Sequence, residues 1–158
     1  MIFEQLFDKT SSTYTYLISS GPGREALIID PVLEHVDIYL NILSKLKLKL
    51  VKVIDTHIHA DHITGMSDLK NKTNCETVMG DKTPADIVSI KVKDQENITL
   101  ENFKLKAIYT PGHTYESFSF LMGDKVFTGD TLLIGGTGRT DFQNGNPYDS
   151  YNSIFNIL

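Results

Sequence analysis

Apolar residues change their spacing several times along this chain, and each change predicts an element. TYTYLIS (13–19) alternates and is rich in β-forming residues, which predicts a strand. SSGPG interrupts it, and EALIID (25–30) follows as a second short apolar strand. Asp30-Pro31 then opens a helix, because Leu33, Val36, Leu40 and Leu43 recur at helical spacing. In KLKLKLVKVIDTH (45–57) leucine and lysine alternate before the run turns wholly apolar. This reads as a strand entering a core with its first lysines on a wet face. A helix is expected near 61–70, followed by a polar stretch to about residue 97. Strands return at FKLKAIY (103–109), SFSFLM (117–122) and KVFTG (125–129), with Gly123-Asp124 as the hairpin turn between the last two. GGTG (135–138) reads as a loop and YDSYNSIFNIL (148–158) as a helix.

Composition narrows the class. The 158 residues are 41% hydrophobic and 22% charged, an ordinary balance for one folded domain spanning 1–158. A net charge of −5 gives no electrostatic reason to bind nucleic acid or an anionic membrane. No apolar run reaches the length of a membrane span. The start MIFEQLFDKT lacks both a secretory signal and an arginine-rich transit pattern, so the expected location is cytoplasmic. Cys75, the single cysteine, excludes an internal disulfide and is read as a structural thiol. His35, flanked by charged and apolar helix positions, is expected to be a solvated surface histidine.

Four of the five histidines fall in two short motifs. Thr56-His57-Ile58-His59-Ala60-Asp61-His62 follows the apolar run Val51 to Ile54. His57 is therefore expected at the carboxyl end of a strand, where sheets present functional groups. His59 can share a face with His57 while the chain stays extended. Asp61 and His62 are read as opening the next helix, whose amino-terminal dipole favours an anionic group. So many imidazoles beside a carboxylate bury cheaply only with a cation or partner hydrogen bonds. Thr110-Pro111-Gly112-His113-Thr114 follows another strand, with Pro111-Gly112 turning His113 out of the sheet. Thr128-Gly129-Asp130-Thr131 ends a third. A lone GHT or TGD carries no signal. Histidine and aspartate at three strand ends, in this order, are what a metal site on a sheet edge requires.

HxHxDH, then a GHT histidine, then a TGD aspartate resembles the metallo-β-lactamase superfamily. That resemblance implies an α/β fold, an αββα sandwich with metal at one sheet edge. STYTYLI, REALIIDPV, THIHADHITG, TPGHT and FTGDTLLIGGTGRTDFQNG look like the persulfide dioxygenases (sulfur dioxygenases) of that superfamily. The phrases HADHITG and GRTDFQ are distinctive there, and glyoxalase II enzymes read differently at both. The resemblance implies an enzyme that oxidises glutathione persulfide with dioxygen to sulfite and glutathione. It also implies one Fe(II) per chain, held by His57, His113 and Asp130. Two histidines and a carboxylate on one face of Fe(II) leave positions open for substrate and dioxygen together. His59, Asp61 and His62 would line the site and serve catalysis without holding iron, although the corresponding positions bind metal in dinuclear hydrolases.

Alternatives stay open beside this reading. The chain could be a zinc-dependent thioester hydrolase of the glyoxalase II type, or an inactive metal-binding fragment. Arg139 either forks onto a substrate carboxylate or pairs with Asp141. Gly135, Gly136 and Gly138 are expected to let their loop pass close to the site. Family members continue past GRTDFQ with further strands, a helix and a late histidine motif. The C-terminal part of the second half of the sandwich is therefore expected to be missing, in a fragment or in a short form. Self-association into a homo-oligomer is left open.

Overall fold

Successive strand residues face opposite ways, so Leu17 and Ile18, or Leu27 and Ile28, must be buried by different partners. The computed structural model, which describes residues 1–158, places Ile18, Leu27 and Ile29 in one buried cluster and Leu17, Ala26 and Ile28 in another. The sheet carrying them is covered on both faces, which is why EALII reads as an unbroken apolar run. Its strands are β1 (Ile2–Asp8), β2 (Thr13–Ser19), β3 (Glu25–Ile29), β4 (Lys49–Ile54), β5 (Glu76–Gly80) and β6 (Ile90–Val92), in that order across the sheet. β1 to β3 pair antiparallel, and β3 to β6 pair parallel.

A second sheet, entirely antiparallel, runs β10-β9-β8-β7 from β7 (Asn97–Leu100), β8 (Phe103–Tyr109), β9 (Phe118–Met122) and β10 (Lys125–Phe127). Leu105, Ala107, Phe118 and Phe120 of this sheet meet Ile18, Leu27, Ile29 and Ile54 of the first. Helices α1 (Val36–Lys45) and α2 (Met66–Thr73) cover the first sheet's other face through Val36, Tyr39, Leu43, Met66 and Leu69. Helix α3 (Pro147–Asn152) is capped by the Asn146 side chain and continues as a π-helical turn to Ile157. Its far end packs on the loop after β8, where the Ser153 hydroxyl donates to the Pro111 carbonyl at 2.6 Å.

TYTYLIS and FKLKAIY form strands residue for residue as the pattern predicts. The helix expected near 61–70 begins only at Met66, so Asp61 and His62 lie in a loop and no helix dipole acts on them. Backbone bonds explain the delay: the Gly65 amide donates to the Pro31 carbonyl at 2.7 Å, and Val32 and Thr64 form an isolated bridge. The alternating lysines also mislead. Lys45 ends α1, Lys47 takes a left-handed backbone with φ 54°, and the strand starts at Lys49. The polar stretch before residue 97 conceals β5 and β6, whose buried Val78, Met79 and Val92 are too few to show a period. His35 is not simply solvated, because its Nε2 lies 3.0 Å from Asp8 Oδ1 and the ring is partly buried.

Candidate metal centre

β3 and β4 of the first sheet and β8 and β10 of the second all end at the same edge of the sandwich, and the loops that follow them converge there. Ligand atoms of His57, His113 and Asp130 lie within 4.8 Å of one another. His113 Nε2 stands 3.5 Å from Asp130 Oδ2. His57, past the end of β4, is 2% exposed, and its ring lies 4.9 Å from that of His113, edge to face.

The hydrogen bonds decide which nitrogen each ring offers. Thr56 Oγ1 donates to Asp30 Oδ2 at 2.9 Å, so toward His57 Nδ1, also at 2.9 Å, it can only accept. His57 therefore carries its proton on Nδ1 and keeps the Nε2 lone pair free. His113 Nδ1 donates to the Arg139 carbonyl at 2.8 Å, which likewise leaves Nε2 as the electron-pair donor. Burial, helped by the neighbouring histidines, holds His57 well below the usual imidazole pKa, so it stays neutral as a ligand must. Burial also raises the Asp130 carboxyl, while His113 beside it works the other way. Two imidazoles and a carboxylate gathered this closely fit a divalent cation, with the imidazoles' outward nitrogens already committed to protein acceptors.

His59, Asp61 and His62 form a second group, also with ligand atoms within 4.8 Å of one another. The His59 ring lies 4.2 Å from that of His57 and 4.3 Å from that of His62. Burial opposes charge on His59, but its bond to Asp30, with Asp55 and Asp61 nearby, outweighs this and pushes its pKa up to about 9. Asp55, fully enclosed, is itself raised to about 7 by burial. His62 Nδ1 meets Asp61 and Thr13, whereas its Nε2 is buried without any partner. Such an orphaned nitrogen in a polar cluster points to a ligand.

Several residues outside the histidine and aspartate motifs also organise this edge. Asp30 holds the Thr56 amide at 2.7 Å, the Thr56 hydroxyl and His59 Nε2 at 3.2 Å, and does so from a left-handed backbone with φ 50°. The Gln143 amide donates to the Ile58 carbonyl at 3.2 Å, and the Glu116 carboxylate accepts from the Ile58 amide at 2.7 Å. The GRTDFQ phrase thus reaches the site through the Arg139 carbonyl and the Gln143 side chain. The Arg139 guanidinium itself turns to Asp141, at 2.8 and 3.2 Å, and lies over the Phe142 ring. Of the three glycines in the 135–138 loop, Gly138 needs to be one: a Cβ there would sit 2.4 Å from the Asp130 carbonyl and 2.7 Å from His113 Nδ1. Gly135 and Gly136 face open space, so close passage explains neither. A cavity of about 660 Å³ opens beside His59, Asp61 and Asp130, between the β1–β2 hairpin (Phe7, Tyr14) and the loop carrying Leu133.

Two facing sheets, with helices on the outer face of the first and a histidine–carboxylate centre at one edge, are the class that this fold and site define. The metallo-beta-lactamase superfamily profile matches residues 9–87 and 80–157. Mouse mitochondrial persulfide dioxygenase ETHE1 is 38% identical over 157 residues, covering 98% of this chain and 61% of the relative. The crystal structure of ETHE1 from Myxococcus xanthus superposes with a TM-score of 0.96 at 47% identity, covering all of this chain and 70% of that one. A hydroxyacylglutathione hydrolase of Pelagibacter ubique is 33% identical over 157 residues, covering 97% of this chain and 64% of the relative. The chain belongs to the metallo-beta-lactamase superfamily, and its likeness to ETHE1 runs along its whole length. It spans about 61% of the length of its mammalian relatives.

Proposed function

We propose that this chain carries the metal centre of an iron-dependent dioxygenase acting on glutathione persulfide. Persulfide, dioxygen and water give glutathione, sulfite and protons. The observation that carries the reading is the donor set itself: the imidazoles of His57 and His113 and the carboxyl group of Asp130, with ligand atoms within 4.8 Å of one another. Sets of two histidines and one carboxylate leave open positions suited to Fe(II) oxygen chemistry. When bound, the iron would supply adjacent positions where a persulfide sulfur and dioxygen are brought together.

The chain's own residues divide the remaining work. Thr56 and the Arg139 carbonyl fix the two imidazole tautomers. His59, held protonated between Asp30 and the site, places positive charge where an anionic persulfide must approach. His62 Nε2 offers one uncommitted hydrogen-bonding position to substrate or water. Arg139 lies on an exposed loop, where a substrate carboxylate would compete with Asp141 for the same fork.

One observation favours a second reading, a dinuclear thioester hydrolase of the glyoxalase II type using zinc. His59, Asp61 and His62 form a second donor cluster beside the first. An oxygen electrode separates the two. Iron-loaded protein is expected to consume oxygen only with a persulfide, to form sulfite, and to leave S-lactoylglutathione intact. Rapid thioester hydrolysis without oxygen uptake would put the hydrolase first.

A further inference from the structure

Glu116 is 2% exposed, forms no salt bridge, and takes no part in the chemistry described so far. Ionised carboxylates seldom occupy such places, because removing one from water costs several kcal/mol unless it is paired. Two groups compensate it. One carboxylate oxygen accepts the Ile58 amide at 2.7 Å, and the other accepts the Thr114 hydroxyl. Ile58 directly follows His57, and Thr114 directly follows His113. A single buried carboxylate therefore ties together the two loops that carry the imidazole donors, across 58 residues of chain.

Neighbouring bonds tighten both attachments. Ile58 is held on its other side by Gln143, so the peptide groups beside His57 cannot slide along the loop. Thr114 Oγ1 also meets Ser117 Oγ at 2.6 Å, and the Phe118 amide donates to the Thr56 carbonyl at 2.9 Å. The main chain on either side of Glu116 is thus anchored to the His113 loop and to the His57 loop.

We propose that Glu116 is a positioning residue that sets the separation of His57 and His113 and so tunes metal affinity. This rests on the metal-centre reading above. Glu116 touches no donor atom and acts only through Ile58 and Thr114. A strut of this kind depends on length and hydrogen-bonding capacity rather than on charge. Glutamine can fill the role, since it still accepts from the Ile58 amide while the Thr114 hydroxyl turns to accept from its NH₂. Aspartate, one methylene shorter, cannot span both loops.

The test is Co(II) titration of the whole chain, read by visible absorption, for wild type, Glu116→Ala, Glu116→Asp and Glu116→Gln, with thermal midpoints of the metal-free proteins. Alanine and aspartate are expected to weaken Co(II) binding about 10–100-fold, the range seen when groups orienting metal ligands are removed. Glutamine is expected to stay within a few-fold of wild type. Should the alanine variant fail to fold, the aspartate–glutamine contrast still decides. Wild-type affinity in the aspartate variant, or a loss in glutamine matching that in alanine, overturns the proposal. So do lowered thermal midpoints with unchanged affinity, the mark of a merely structural residue. A wild-type chain that takes up no Co(II) would instead overturn the metal centre itself.

Discussion

The residues that would hold the metal are legible in the sequence, and those that hold the residues are not. His57, His113 and Asp130 each follow an apolar run, but it is the family resemblance that picks them over His59, Asp61 and His62, which suit a cation as well. Asp30, Glu116 and Gln143 are ordinary letters until the chain folds. They reach Thr56 or Ile58 across 26, 58 and 85 residues respectively, separations that no local pattern encodes. Two substitutions probe this scale. Gly138→Ala would push a methyl into the Asp130 carbonyl and His113 Nδ1, so it should lower stability by about 1–3 kcal/mol and weaken metal uptake together. Calorimetry with metal titration checks this, and an unchanged variant would show that the loop yields freely. Arg139→Ala removes only an exposed ion pair, of a kind that contributes little to stability, so its thermal midpoint should barely move. If the guanidinium takes a substrate carboxylate, KM for the persulfide rises while kcat holds, as steady-state kinetics would show.

At the scale of elements, the misreadings share one cause. Helix and strand periods are visible only where an element is long, and tertiary bonds decide where it starts. Asp61 and His62 look like a helix opening, yet the Gly65–Pro31 bond holds the chain in a loop until Met66. That delay leaves both side chains on a loop instead of on a helix, with Asp61 lining the cavity. The end of β1 shows a comparable tertiary bond. Asp8 accepts from the Ser11 hydroxyl and amide and meets His35 ahead of α1, so its carboxyl is held well below the usual carboxylate range. A depressed folded-state value means stabilisation that is present at neutral pH and fades as pH falls below about 4, the value for an unfolded aspartate. Asp8→Asn should therefore lower the thermal midpoint at pH 7, with the gap from wild type closing progressively in acid. A gap that stays constant with pH would mean that the carboxylate's charge contributes nothing.

Across the whole molecule, the order of the motifs was readable in the pattern itself, whereas the facing of the two sheets followed only from the family resemblance. His57 comes from the first sheet and His113 and Asp130 from the second, packed through Phe118, Phe120 and Ile54. A cation held by all three would join the halves of the sandwich and should stabilise the fold in proportion to its binding. The mononuclear reading makes a sharper demand, because a second donor cluster at His59, Asp61 and His62 lies ready beside the first. The deciding measurement is anaerobic Fe(II) binding, with metal content per chain determined for wild type, Asp130→Ala and His62→Ala. The expected result is a single tightly bound iron in wild type, lost in Asp130→Ala and retained in His62→Ala. Two tightly bound ions per wild-type chain, or full iron occupancy in Asp130→Ala, would contradict it.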